Sequence, residues 1–349
     1  MKDFPINNYQ RIKPRILLVV ALCFSLFASI NLWADPTPPV ISNQEVKALF
    51  SEKKYMQAIL KASELGEAND KNAITRWVEI RLETFSENES GVIVLKKPGG
   101  VQLGRVVQTA NITFLEKEEG IDPDSIGDLE SGFEDALEFV SSKHEVASYE
   151  LSKVLGFDIV PPTREVSGKI RQLWVEDSKV SLKDNPLETG VFDYLAFQHD
   201  RNTDNSLVLD SGEILAIDNG ASFFSSGDIE KLMELQPEND PAAILFNSSD
   251  SDFKKKFQLA FNTREKFDRF ISIKEDQWRA FFKEHVGGTL AEEDAFIDRT
   301  TTINTSMTDL LEKDQFFFAT AKLEYGIQKS QRKTVYPMIM EPPPLAPCD

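Results

Sequence analysis

Cysteine is nearly missing from this chain: of 349 residues only Cys23 and Cys348 carry a thiol. Cys23 falls in a leader-like segment, so no disulfide can staple the remainder, and the body must be held by packing, which a chain of this length can supply. Histidine is as scarce. Three histidines and one cysteine outside the leader cannot furnish the nitrogen and sulfur ligands of a zinc site. Positive charge is in deficit, with 39 Lys and Arg against 57 Asp and Glu and a net charge of −18. Such a surface repels nucleic-acid phosphates and anionic bilayers, so no nucleic-acid partner is expected and a basic protein partner is favoured. Past residue 33 no apolar run is long enough to span a bilayer. Internal repeats are lacking, and so is the Gly-x-Ser-x-Gly motif of a nucleophilic serine.

What is present begins with an export signal. Lys13 and Arg15 precede an apolar run from Ile16 to Ile30, and Leu32-Trp33-Ala34 leads into Asp35-Pro36. A basic start, a short apolar stretch and a small residue at its exit describe a secretory signal peptide cleaved after Ala34, with an uncleaved signal anchor as the alternative. Leu22 before Cys23 is too large for a lipoprotein signal. The leader's four basic residues outnumber its single acid by three, so cleavage would take the charge from −18 to −21. The expectation is an exported protein without stable membrane insertion after cleavage, in a bacterial periplasm or secreted, or in the secretory lumen of a eukaryote. Asn88, Asn111, Asn247 and Asn304 open glycosylation triplets, which also arise by chance.

The organisation then reads as a helical extension over 35–88, a β-rich unit over 89–177, a mostly helical unit over 178–327 and a Pro-rich tail over 328–349. Val46, Leu49, Phe50, Met56, Ile59 and Leu60 recur at helical spacing, and Asn69-Asp70 is placed to separate two helices. Strands are expected at Val92–Leu95, Val101–Val107 and Asn111–Leu115, followed by an acidic loop over about 117–131. A helix over Glu134–Leu155 closes on Gly156 as its C′ residue. Thr163–Val166 and Ile170–Val175 flank a Ser167-Gly168 turn, a helix covers 186–198, and a hairpin joins Ser206–Leu209 to Glu213–Ile217. The fold class is α+β and bilobal: a small β-rich lobe with one long helix, then a larger, mostly helical lobe.

The chemistry concentrates in His199-Asp-Arg-Asn-Thr-Asp-Asn205 and Ile217-Asp-Asn-Gly-Ala-Ser-Phe223. Phosphoryl transfer needs a divalent cation held against phosphates and a carboxylate that positions an acceptor hydroxyl. Asp200 stands five residues before Asn205, and Asp218 precedes Asn219-Gly220. That is the spacing of a catalytic carboxylate and two metal ligands in protein kinases, and one hairpin between them would bring both ligands to the same end of two strands. Hard oxygen ligands suit Mg²⁺ or Mn²⁺. Each motif alone is an ordinary turn sequence; their joint occurrence around a hairpin carries the reading. His199 is expected to pack under the loop and His144 to be a solvated helix residue.

These residues resemble the D-R-x-x-x-N and I-D-x-G signatures of the phosphatidylinositol 3/4-kinase-like superfamily. They are most similar to four-jointed-type secretory protein kinases, their bacterial relatives and type II phosphatidylinositol 4-kinases. Glu145-Val-Ala-Ser-Tyr-Glu-Leu-Ser-Lys-Val-Leu-Gly156, Val160-Pro-Pro-Thr163 and Gln172-Leu-Trp-Val-Glu176 extend the likeness, which spans about residues 143–223. The resemblance implies a bilobal kinase-like fold and transfer of the γ-phosphoryl group of ATP to a protein hydroxyl with Mg²⁺ or Mn²⁺. By it Asp200 is the catalytic base and Arg201 braces the catalytic loop. Asn205 and Asp218 hold metal, with Asp204 able to add to that site. Glu145 orients a nucleotide-binding lysine, and Val175, Glu176 and Asp177 line the adenine pocket by backbone contacts. The family tends to place its lysine directly after a strand phenylalanine; here Phe114 is followed by Leu115-Glu116 and then Lys117, which is the choice over Lys96 and Lys97. Gly99, Gly100 and Gly104 form either a phosphate-covering loop or a hairpin turn. The alternatives are a lipid acceptor, AMP transfer, or a non-catalytic pseudokinase that only binds.

Overall fold

The structure, a computed structural model, describes residues 36–87, 89, 91–96, 102–121, 141–180, 189–224, 241–246 and 250–312. The leader, Gly99-Gly100, Lys97, most of the acidic loop, the start of the helix expected from Glu134, and the Pro-rich tail lie outside the described residues. Three N-terminal helices come first: α1 (Gln44–Ser51), α2 (Tyr55–Glu64) and α3 (Ala68–Thr84). The sequence reading had two. Lys53 (φ 64°) and Gly66 (φ 72°) take left-handed backbone that ends α1 and α2. The chain therefore re-enters a helix at Ala68, and Asn69-Asp70, expected to break or cap between two helices, sits in the first turn of α3. Asp70 has another task. Its buried carboxylate accepts from Ser42 N (3.0 Å), Ser42 Oγ (2.9 Å) and Asn43 N (2.8 Å), while Asn43 Oδ1 caps α1 from Glu45 N (2.9 Å).

The strands β1 (Ile93–Lys96), β2 (Gln102–Gln108), β3 (Thr113–Ile121), β4 (Thr163–Val166) and β5 (Lys169–Leu173) form one antiparallel sheet in the order β1-β2-β3-β5-β4. β3 runs well past the expected end at Leu115 because its charges are matched by neighbours. Glu116, 1% exposed, accepts from Arg105 Nε on β2 (2.9 Å) and Arg171 Nε on β5 (3.0 Å). Arg171 also donates through Nη1 to Leu82 O (2.7 Å), satisfying a carbonyl that the end of α3 leaves open. Successive side chains alternate across a strand, so Phe114 and Glu116 face the N-terminal helices while Leu115 and Lys117 share the opposite face.

Helix α4 (Ser142–Leu155) leads to β4, ending at Gly156 with φ 70° as expected. A small sheet follows, β6 (Ser178–Val180), β7 (Ser206–Leu209) and β8 (Ile214–Ala216), with α5 (Gly190–Ala196) between β6 and β7. The larger helical part contains α6 (Pro241–Phe246), α7 (Asp250–Ala260), α8 (Arg264–Ser272), α9 (Glu275–Phe281) and α10 (Leu290–Glu312). Among the described residues no helix is long and apolar enough to cross a membrane.

Two cores hold this α+β chain together. The first joins Trp77, Val78, Leu82 and Phe85 of the N-terminal segment to Phe114, Leu173 and Val175, with Leu209 and Leu215 from the hairpin. The second is rich in phenylalanine: Phe192, Phe257, Phe261, Phe270, Phe282 and Phe296 pack with Ala147, Leu151 and Leu155 of α4. The N-terminal helices are thus built into the sheet-bearing half, and α4 takes its apolar support from the helical half. Removing a buried aromatic from either core would cost about 3–5 kcal/mol. Replacing Asp70 by alanine strands two backbone N–H groups and should lower stability by about 2 kcal/mol, seen as a reduced urea midpoint with an unchanged slope.

Candidate active site

The loop after α5 is assembled by one arginine. Every residue of α5 is buried, and Phe197 (φ 49°) turns the chain out of the helix. Arg201 Nε donates to Asp193 Oδ1 on α5 (3.1 Å), Nη1 donates to Ile217 O (2.8 Å) and to Asn205 O, and Nη2 reaches Asn219 Oδ1 (2.5 Å). One planar group with five donors therefore ties α5, the 200–205 loop and the 217–219 segment together. Each of the three nitrogens of Arg201 is engaged within the protein. Asn219, quoted in the sequence motif but given no role there, and Asp193 of α5 are its side-chain partners.

Asp200 and Asn205 are joined directly. Asn205 Nδ2 donates to Asp200 Oδ2 (2.9 Å) and to Asp200 O (2.6 Å), and the turn between them is capped by Asn202 Oδ1 on Asp204 N (2.9 Å) and Asn205 N (3.2 Å). Ile217 N donates to Asn205 O (3.1 Å), so the base of the β7–β8 hairpin delivers Asp218 beside this turn. Asp218 sits at φ 53°, a left-handed backbone that is uncommon for a residue with a side chain and concentrates at functional sites. Gln198, which sequence reasoning passed over, secures it: Nε2 donates to Asp218 O (3.0 Å) while Oε1 accepts from Asp200 N (3.0 Å).

From the other half comes Lys117. Its ammonium bonds Glu145 Oε1 of α4 and lies 2.8 Å from Asp218 Oδ1. Glu145 Oε2 accepts from Asn219 N (3.0 Å), which closes the ring. Lys117 stands two residues beyond the position directly after Phe114, and an even offset on a strand keeps the same face. That is how it reaches the cleft despite its displaced place in the sequence. Lys96 lies on edge strand β1, separated from β3 by β2.

Burial lowers the pKa of Lys117, but the carboxylates of Asp218 and Glu145 outweigh it, so the amine stays protonated. Glu145 is pushed up by burial and by Asp218, against the pull of Lys117. Asp200 is pushed up to about 6 by burial and then by the charge of Asp218, against hydrogen bonds from Asn205 and Asn202. The charge of Asp218 thus reaches Asp200, although Lys117 pairs with Asp218. The Asp218 side chain is 40% exposed, whereas Lys117 and Glu145 are 5% and 1% exposed, so the acidic edge faces the opening.

That edge suits a cation. Among the described residues no group of three or more His, Cys, Asp or Glu could hold a metal by itself. Mg²⁺, however, is usually held by one or two carboxylates with phosphate oxygens completing its shell, and the all-oxygen set of Asp218 and Asn205 matches that need. Asp204 is exposed in the turn between Asp200 and Asn205, its N–H donating to Asn202 Oδ1. His144, expected in solvent, is half-buried with its ring 5.8 Å from Phe223 and 6.2 Å from Phe224; the Phe pair that follows the metal motif folds back on α4. His199 is buried, as expected.

The expected adenine-contacting segment is partly committed to protein. Val175 is buried in the core, its carbonyl accepting from Ser178 Oγ (2.9 Å). Glu176 O accepts from Gln57 Nε2 of α2 (2.7 Å), and Asp177 pairs with Lys54 (3.0 Å). A carbonyl oxygen has two lone pairs, and an adenine amino group would have to use the second.

No protein-family model matches this chain, and neither does any curated protein. Solved structures do resemble it. A proinflammatory kinase of Helicobacter pylori is 10% identical, matched over 65% of this chain and 98% of its own, with a TM-score of 0.40. The Golgi casein kinase with Mn and ADP bound is 12% identical over 87% of this chain and 92% of its own, TM-score 0.41. A choline kinase of Streptococcus pneumoniae is 11% identical over 61% and 94%, TM-score 0.26. At these scores the likeness carries no weight beyond itself, and the functional reading rests on the side-chain geometry.

In metal-free protein the Asp200 carboxyl should titrate near pH 6 by carbon NMR. Added Mg²⁺ should move that midpoint to lower pH, because a cation at Asp218 removes the repulsion that raises it.

Proposed function

We propose that this protein is a kinase-type phosphotransferase that moves the γ-phosphoryl group of ATP to a protein hydroxyl. The observation that carries the reading is the buried Lys117, held by Glu145 and beside Asp218, across from the Asp200–Asn205 pair. A charged amine in a protein interior is costly unless paired, and here the pairing aims it at the same opening as the acidic edge. Phosphoryl transfer asks for this division: a cation for the α- and β-phosphates, oxygen ligands for the metal, and a carboxylate at the acceptor.

In this mechanism Lys117 binds the nucleotide's α- and β-phosphates, and Glu145 keeps the amine oriented. Asp218 and Asn205 would hold Mg²⁺ or Mn²⁺, which would supply positive charge against the phosphates. The acceptor hydroxyl donates its proton to Asp200 as its oxygen bonds to the γ-phosphorus. The bond from that phosphorus to the β,γ-bridging oxygen breaks, and ADP leaves with the electron pair. An Asp200 pKa of about 6 lets the carboxylate be ionised at neutral pH while remaining basic enough to take a proton. The intact Lys117–Glu145–Asp218 contacts speak against a shell that merely binds. A net charge of −18 disfavours an anionic lipid surface as acceptor. The leader-like N-terminus supports an exported setting, in which the acceptor would be an extracytoplasmic protein.

With purified protein, γ-labelled ATP and a basic protein mixture, label transfer should depend on Mg²⁺ or Mn²⁺. Asp200→Ala should reduce it about 10²–10⁴-fold, with ATP binding retained. Asp218→Ala should abolish the metal-dependent thermal shift given by ATP. Label retained only from α-labelled ATP would replace this reading with AMP transfer, and no nucleotide-dependent shift would replace it with a non-enzymatic role.

A further inference from the structure

Glu145 points at Lys117 only if α4 keeps its rotation, and contacts farther along the helix bear on that rotation. One turn beyond Glu145, Tyr149 is at i+4 and Lys153 at i+8, so both lie on a face turned by about 40–80° from it. Each is held by the same acceptor. Glu79, on α3 of the N-terminal segment and 5% exposed, receives Tyr149 Oη (2.9 Å) and Lys153 Nζ (2.9 Å) on its Oε1. Arg164 of β4 comes to the same oxygen through Nη2 at 2.6 Å, and reaches Glu150 of α4 through Nη1 at 2.5 Å and Glu83 of α3 through Nε at 3.1 Å. A buried carboxylate thus gathers two elements of the sheet-bearing half and two successive turns of α4.

Packing does not do this work on that side. Tyr149 and Lys153 line a cavity of about 230 Å³ bounded by Met56, Ile59, Thr75 and Asp158. Apolar contact behind α4 is therefore incomplete, and its apolar residues instead belong to the core of the helical half. The polar clasp at Glu79 adds to the contacts that α4 makes with β3, β4 and β5, and ties two of its turns to α3.

We propose that Glu79 is a positioning residue for the Lys117–Glu145 pair, through which the N-terminal helical segment holds α4 in the rotation that nucleotide binding requires. The proposal rests on the kinase-type reading for its catalytic consequence, though not for its structural one. Burial raises the pKa of Glu79, but Lys153, Arg164 and Tyr149 outweigh it and keep the carboxylate ionised. Tyr149 is held well above the ordinary phenol range by burial and by Glu79, so it remains a donor.

The test uses the full chain and two readouts. The first is the rate at which Lys117 is acylated by a succinimidyl ester, followed by mass spectrometry against the exposed Lys283 as internal reference. The second is kcat and KM for ATP. Glu79→Gln, Glu79→Ala and the milder Tyr149→Phe are compared with Ile303→Val, a core substitution in α10 that lowers stability without touching the clasp. Expected are a Lys117 labelling rate raised about fivefold in Glu79→Ala, a smaller rise in Tyr149→Phe, and none in Ile303→Val. The kcat/KM for ATP should fall about tenfold in Glu79→Ala and recover in Glu79→Asp. Unchanged Lys117 labelling in folded Glu79→Gln or Tyr149→Phe protein would overturn the proposal, whatever happened to activity. Raised labelling in a protein without any phosphotransfer would uphold the clasp and sink the kinase-type reading alone.

Discussion

A protonated amine buried between two carboxylates is the constraint on which this structure turns. Lys117 cannot be ionised at 5% exposure without partners, and its partners come from different places: Glu145 from α4 and Asp218 from the turn after β8. Desolvation of an unpaired ion costs several kcal/mol. The three segments must therefore meet, and their meeting defines the cleft. Replacing one member by an apolar residue would leave the others uncompensated, which makes the cluster a condition of the local fold as well as a site.

Around that centre the chain divides its labour by charge type. Arg201, with no pairing to the reacting edge, spends its donors on Asp193, Asn205, Ile217 and Asn219, so that the loop bearing Asp200 has little freedom. Asp218 pairs with Lys117 and Asp200 with Asn205, and the two carboxylates remain close enough for Asp218 to raise the pKa of Asp200. The support reaches the loop through backbone carbonyls and Asn219 rather than through these carboxylates.

The N-terminal helices have a comparable double role. Their apolar faces complete the core of the sheet, with Leu82 and Phe85 against Phe114 and Leu173. Their polar residues reach the segments around the site: Gln57 and Lys54 bond 176–177, and Glu79 bonds α4. The helices expected as an extension are thus attached to the sheet-bearing half through both kinds of contact.

Much of this was legible in the residues themselves. Hydrophobic period, turn glycines and the Asp200, Asn205 and Asp218 spacing are local properties, set by backbone geometry within a few residues, and they located the helices, the β4–β5 and β7–β8 hairpins, the Gly156 stop and the acidic cluster. What depended on partners distant in sequence was not. β3 extends through Glu116 because Arg105 and Arg171 neutralise it across two neighbouring strands. Asp70 accepts from Ser42 and Asn43 across the sequence, and His144 is covered by Phe223 and Phe224. Lys117 lies between the two cases. Strand parity allowed it to face the cleft, but only the meeting of β3, α4 and the Asp218 turn made it the lysine that does, since burying a charge is decided by which opposite charges the fold brings to it.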